Sequence, residues 1–168
     1  MKRNWLVLGF ILICSTWAHA QSDGPLTGLK WGLSASIQDN QFGVMVPIFL
    51  SDCFQLSPAF ELKLAQKIGT DIGIGLVSRH YLWNHGKLSP YWGLRAGIIT
   101  FIGDNTSFSP DIIAGGSFGL EYFLSRGFSI GLEPQLNFVF SGKESQRVGN
   151  PGKMNANTAT VVLVNIYL

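Results

Sequence analysis

The chain reads as all-β, an eight-stranded antiparallel up-and-down transmembrane β-barrel, and three observations carry that reading. After Gln21 the sequence falls into segments of about ten residues in which one parity is apolar and the other small, polar or charged. The charged residues inside those segments, Lys30, Glu61, Lys63, Asp71, Arg79, Arg95, Glu121 and Glu133, all take the polar parity. Finally, 46% of the chain is hydrophobic and 13% charged, yet past the N-terminus no apolar run approaches the ~18 residues of a membrane-crossing helix. Apolar composition without helical spans is what strand-by-strand alternation produces.

Residues 1–20 have the order of a cleaved signal peptide. Lys2 and Arg3 form the positive start, Trp5 to Ile13 the short apolar core, and Ala18-His19-Ala20 a small-residue cleavage site. The barrel domain is then 21–168. Cleavage takes away two positive charges and leaves ten basic against ten acidic residues, so the charge balance gives no reason to expect a nucleic-acid partner. Cys53 is the cysteine that remains, and it cannot form an intrachain disulfide.

Eight strands are predicted, over 28–38, 42–50, 54–65, 71–83, 90–102, 112–124, 128–140 and 158–168, separated by turn signals such as Asp39-Asn40, Ser51-Asp52 and Ser125-Arg126-Gly127. The first shows the alternation cleanly: Leu29, Trp31, Leu33, Ala35 and Ile37 against Lys30, Gly32, Ser34, Ser36 and Gln38. In 128–140 one face is wholly apolar, from Phe128 through Leu132 and Leu136 to Phe140. With the apolar parity facing lipid, no charge meets the hydrocarbon, where a basic residue at mid-bilayer costs ~2–4 kcal/mol. Pro47, Pro58 and Pro134 each lack a ladder donor, and bulges or register changes are expected there. An even strand number puts both termini on one side. The short connections at 51–52, around Asn84 and at 125–127 then face the periplasm, and the 141–157 stretch faces out.

The inward parity supplies the candidate site, an interior polar network of Lys30, Glu61, Lys63, Arg79, Arg95, Glu121 and Glu133, with Gln135, Asn137 and Asn165 among them. An eight-stranded lumen is just wide enough for its own side chains, and Tyr81, Phe101, Phe123 and Tyr167 help to fill it. Buried charges persist only when paired. Arg95 and Glu121 are expected to meet, with Glu133 joining from the next strand. Lys143, Arg147 and Lys153 in the 141–157 stretch form a candidate contact with lipopolysaccharide phosphates.

Other chemistries have weaker support. Ser78 and His80 share the outward parity of strand 71–83, but no carboxylate on that face orients the histidine as a triad requires. His80 and His85 lie five apart with no cysteine at zinc spacing, and no glycine-rich loop opens a helix, so no metal or other cofactor is expected.

The stretches Lys87-Leu88-Ser89-Pro90-Tyr91-Trp92-Gly93-Leu94-Arg95-Ala96-Gly97 and Ile130-Gly131-Leu132-Glu133-Pro134-Gln135-Leu136-Asn137-Phe138 give the chain its resemblance to the small outer-membrane β-barrel families, OmpA/OmpX/OmpW-like and related porin-family barrels. The likeness is one of pattern and covers 28–168. It implies a Gram-negative outer-membrane protein, monomeric and non-enzymatic, surrounded by membrane lipid and lipopolysaccharide and inserted by the barrel-assembly machinery. Members of these families end on an aromatic residue, whereas this chain ends Ile166-Tyr167-Leu168. The expected role is structural or interactive at the cell surface. The competing readings are an outer-membrane enzyme acting on lipid A, a narrow pore, and a secreted lipocalin-like carrier with the two faces inverted.

Overall fold

The computed structural model describes residues 24–39, 41–65, 69–84, 86–103, 109–145 and 151–168, with backbone alone at Leu64, Ala65 and Gly69. The signal-peptide reading of 1–20 and the assignment of Arg147 lie outside the described residues. Nine β-segments run β1 Gly32–Gln38, β2 Gln41–Met45, β3 Ile48–Ser51, β4 Phe54–Ala65, β5 Gly69–Tyr81, β6 Leu88–Ile102, β7 Asp111–Ser125, β8 Phe128–Phe140 and β9 Met154–Tyr167. All pairings are antiparallel, and β2 pairs with β4 as well as with β1, which itself pairs with β9, so the sheet closes and leaves no edge. No described residue is helical.

β2 and β3 are one barrel strand interrupted at Val46-Pro47, which makes eight strands in all. Two prolines cause the break. Val46 donates to the carbonyl of Pro58 at 3.0 Å, and Pro58 has no N–H to return. Gly32 donates to Pro47 at 2.9 Å, and Pro47 has none either. The strand thus loses one ladder bond on each side at the same level. Its register with β4 is nonetheless unchanged, Met45 lying opposite Ala59 and Ile48 opposite Leu56. At Pro134 the β7–β8 ladder skips two pairs and resumes in register. The prolines therefore remove bonds but shift nothing. The register shifts fall elsewhere, between Phe49 and Ser51 and between Phe123 and Ser125, just before tight connections.

Following the paired residues from Ser34 to Met45, Ala59, Gly75, Gly97, Ile113, Val139 and Asn155, and on to β1 in the same register, ends ten positions further along the chain than the start. Eight strands with that stagger fix a tilt of about 40° from the barrel axis.

Several strand ends differ from the sequence reading, three of them with consequences for the ends of the barrel. β9 begins at Met154 and not at 158, which shortens the connection from β8. β5 ends at Tyr81 and β6 begins at Leu88, so the whole β6 start shifts toward the turn. The first strand begins at Gly32, preceded by a single bridge between Trp31 and Ile48, and not at 28. Before it, Gly24–Leu29 turns beneath the end where β1 starts and β9 finishes, here called the near end. Gly28 takes φ 75° in that turn. Alternation through 29–31 is therefore not strand parity: Leu29 is buried in the core and Lys30 is exposed.

From Gly32 onward parity decides the environment. In β8, Leu132 is 50% and Leu136 46% exposed, whereas Glu133 is 2% and Gln135 8% exposed. Trp31, Trp83 and Tyr122 stand on the outer wall toward the near end, and Phe42 and Phe140 toward the far end. For a protein in water this wall would be a continuous apolar patch; in lipid it is solvated. Leu132→Arg is therefore expected to lose about 2–4 kcal/mol of stability in lipid vesicles, read by urea unfolding. Wild-type stability in that variant would mean the wall does not face hydrocarbon.

Candidate functional site

The lumen holds three tiers of polar side chains. In the near-end tier Glu121, fully buried, accepts from Tyr81 Oη at 2.7 Å, Tyr167 Oη at 2.7 Å, Asn165 Nδ2 at 3.1 Å and the Ser129 hydroxyl. Three of these neutral donors, Tyr167, Asn165 and Ser129, converge on Oε1, and Tyr81 takes Oε2. Ser34 donates to Asn165 Oδ1 and fixes which way that amide points. The tyrosine rings are held by aromatic packing: Phe49 lies 6.2 Å from Tyr81 and 5.3 Å from Tyr167, and Phe123 lies 6.0 Å from Tyr167.

In the middle tier Glu133 accepts from Arg79 Nε at 2.9 Å, Tyr91 Oη at 2.7 Å and Gln135 Nε2 at 2.7 Å. The Arg79 guanidinium sits 5.1 Å from the Tyr91 ring centroid and also donates to Gln55 Oε1 at 3.4 Å. In the far tier Arg95 is bonded to Glu61, whose other oxygen accepts from Gln41 Nε2 at 2.8 Å. Gln135 joins the two tiers, donating to Glu133 while its carbonyl accepts from Arg95 at 2.7 Å and from Asn137 at 3.3 Å.

These contacts skip strands. Arg79 on β5 reaches Glu133 on β8, Tyr81 on β5 reaches Glu121 on β7, and Arg95 on β6 reaches Glu61 on β4. Inward side chains of a narrow barrel converge on its axis, so a neighbour across the lumen is as near as one in the next strand. Arg95 and Glu121 do not meet. The β6–β7 register places Gly115 opposite Arg95 and Ser89 opposite Glu121, six positions apart along the strand, or about 20 Å. Lys30 is exposed at the near end and bonds none of these tiers, and Lys63 stands at the far rim opposite Asp71 in the ladder. The hydroxyl and amide partners Tyr91, Ser129 and Gln55 had only their inward parity to mark them, and Gln41 stands just before the predicted strand 42–50.

Among the described residues, the tiers of the lumen leave small gaps between them. Two interior cavities measure about 10 and about 20 Å³, the larger bordered by Arg79, Arg95, Glu133 and Gln135. That is room for about one water, against the ~10–15 Å³ each water needs. A recess of about 880 Å³ lies instead on the outer wall, floored by Gly116 and flanked by Trp92, Phe118, Leu136 and Phe138. Ser78 and His80 are also on the outside. The serine hydroxyl donates to the Leu94 carbonyl at 3.4 Å, and the imidazole lies between Phe54 and Trp92 at centroid distances of 6.5 and 5.5 Å. Lys143 and Lys153 are exposed on the β8–β9 connection at the far end.

Two outcomes follow for the interior. Arg79→Met or Glu133→Leu alone strands a buried charge and is expected to cost about 3–5 kcal/mol, while the double variant costs far less than the sum. Urea unfolding in lipid vesicles reads the cycle, and additive losses would mean the two groups are solvated independently. Tyr167→Phe removes one of four donors to Glu121 and is expected to cost about 1–2 kcal/mol in the same assay.

No protein-family model matches the sequence, and no curated protein matches it. Among solved structures, the N-terminal β-barrel domain of Pseudomonas aeruginosa OprF is similar, with 15% identity and a TM-score of 0.57 over 82% of this chain and 95% of that one. The likeness is one of fold: the two share the closed, eight-stranded antiparallel barrel.

Proposed function

We propose that the protein is an integral outer-membrane barrel of a Gram-negative envelope, exported through a cleaved signal peptide. In this reading it acts as a structural or surface-interaction element and not as an enzyme. The observation that carries the proposal is the inversion of solvation along single strands, with leucines exposed on one side of β8 and a hydrogen-bonded Arg–Glu–Gln cluster on the other. Lipid outside and polar groups inside is the arrangement of membrane barrels. A lipocalin-like carrier needs the reverse, with an apolar cavity of ligand size, and interior cavities of about 10 and 20 Å³ argue against it. The same small volumes argue against a pore.

The barrel wall is expected to contact membrane lipid as a monomer, after insertion by the barrel-assembly machinery. The exposed Lys143 and Lys153 at the far end, with Arg147 between them in sequence, suit contact with lipopolysaccharide phosphates. The test is reconstitution. The refolded protein is expected to migrate faster in SDS before heating than after, and to give no stable current steps in planar bilayers. Reproducible unitary currents from purified protein would overturn the filled-lumen reading, and the absence of any heat-dependent shift would overturn the barrel-in-membrane reading.

A further inference from the structure

At the near end the Gly24–Leu29 turn is tied to all three connections there. The Leu26 amide donates to Asn84 Oδ1 at 3.1 Å, the Gly28 amide faces Asp52 Oδ1 at 3.5 Å, and Arg126 Nη2 donates to the Thr27 carbonyl at 3.0 Å. Asn84 Nδ2 also donates to the Thr27 hydroxyl at 3.2 Å. Between this turn, the β5–β6 connection and the end of β7 lies a recess of about 460 Å³, bordered by Thr27, Lys87, Phe123, Leu124 and Arg126. The charged residues on its border, Lys87 and Arg126, are both cations, and among the described residues neither is paired with a carboxylate. Thr27 holds one N–H of Arg126, and a guanidinium has five in a planar fork that matches phosphate oxygens. Next to the recess the outer wall is apolar: Leu88 and Tyr122 are opposite one another in the ladder, and with Leu124 all three are exposed.

Cations at a preformed recess, with an apolar wall leading away from them, fit an amphiphile with an anionic head. We propose that this recess binds the phosphate group of a phospholipid in the leaflet at the near end, its acyl chain lying along Leu88, Tyr122 and Leu124. The proposal rests on the membrane reading above and adds to it a site where one lipid is held specifically. Arg126 supplies paired donors, Lys87 supplies the second charge, and the Gly24–Leu29 turn keeps Arg126 in place.

The test titrates detergent-folded protein with dioleoyl phosphatidylglycerol and counts retained lipid by native mass spectrometry. One retained lipid is expected. Each cation near an anionic lipid is worth about fivefold in binding, so Lys87→Gln/Arg126→Gln should weaken retention roughly thirtyfold. Lys143→Gln/Lys153→Gln, at the opposite end, should leave it unchanged. Lys87→Gln alone breaks no hydrogen bond of the fold and should still show the fivefold loss if the Arg126 variant does not fold. Equal retention in all variants, or equal loss in both double variants, overturns the site. Displacement of the lipid by soluble glycerol phosphate at equal concentration would assign the recess to free phosphate and overturn the lipid. Protease protection in phosphatidylcholine vesicles is measured in parallel. Protection without specific retention overturns this site alone, whereas no protection overturns the membrane reading itself.

Discussion

The width of the lumen constrains everything else in this molecule. Eight strands closing with a stagger of ten residues enclose a space that inward side chains fill themselves. A polar group there has no bulk water to fall back on, and leaving it unpartnered costs the full desolvation of that group. The lumen therefore has to be solved as one connected set. Glu133 takes a guanidinium, a phenol and an amide; Gln135 spends its amide on Glu133 and its carbonyl on Arg95. Glu121 has no bonded cation and is stabilised by four neutral donors. Such a network gives little net stability compared with an apolar core, since desolvation offsets most of the attraction. What it provides is a polar filling whose partners lie on different strands, which ties the barrel across its diameter.

The two ends are built differently as a result. At the near end Phe49, Tyr81, Tyr91, Phe123 and Tyr167 pack into one cluster, and the Gly24–Leu29 turn closes beneath it with Leu26 fully buried. The turn spans the three connections that would otherwise splay, so its hydrogen bonds act on the barrel mouth as well as on itself. Toward the far end Arg95 and Glu61 are only partly buried. Asp111 at the start of β7 accepts from the Gly142 amide at 3.0 Å and the Ser145 hydroxyl at 2.9 Å, which folds the start of the β8–β9 connection inward over that rim.

How much of this the sequence discloses follows from which quantities are local. Side-chain parity is local: Arg79, Glu121 and Glu133 read as inward from their own strands, and they are buried. Partners are not local. Whether Arg95 meets Glu121 or Glu61 depends on the sum of registers around the barrel, and each connection adds its own error. The β6–β7 connection turns where it puts Glu121 six positions from the level of Arg95. Lys30 shows the opposite failure. The apolar–polar rhythm of 28–38 runs on into the Gly24–Leu29 turn, so periodicity alone overstates the strand, and with Gly28 turning at φ 75° Leu29 is buried while Lys30 is exposed. The proline readings erred for a related reason. A missing donor is a local fact, but a register shift also needs an extra residue on one strand, and none is present at Pro47, Pro58 or Pro134.

The same alternation could in principle build a barrel with its faces exchanged, and volume is what forbids it. The inward parity carries glycines where neighbouring groups come too close for a Cβ. A Cβ on Gly97 would come within 2.7 Å of the Ile74 carbonyl oxygen and 3.1 Å of the Gly75 Cα on the adjacent strand. At Gly119 it would collide with the Tyr91 ring, which lies across that backbone and uses the space to bring its hydroxyl to Glu133. The strand neighbours of these positions are Ile98, Phe118 and Leu120, all exposed on the outer wall. Turning such residues inward would demand space that a lumen with cavities of about 10 and 20 Å³ does not have. Turning Arg79 and Glu133 outward would place them against whatever solvates the leucines of β8. Charge thus decides which face can meet lipid, while side-chain size decides which can meet the axis. The two criteria are physically independent and select the same orientation in β4 to β8, the strands that carry charged residues.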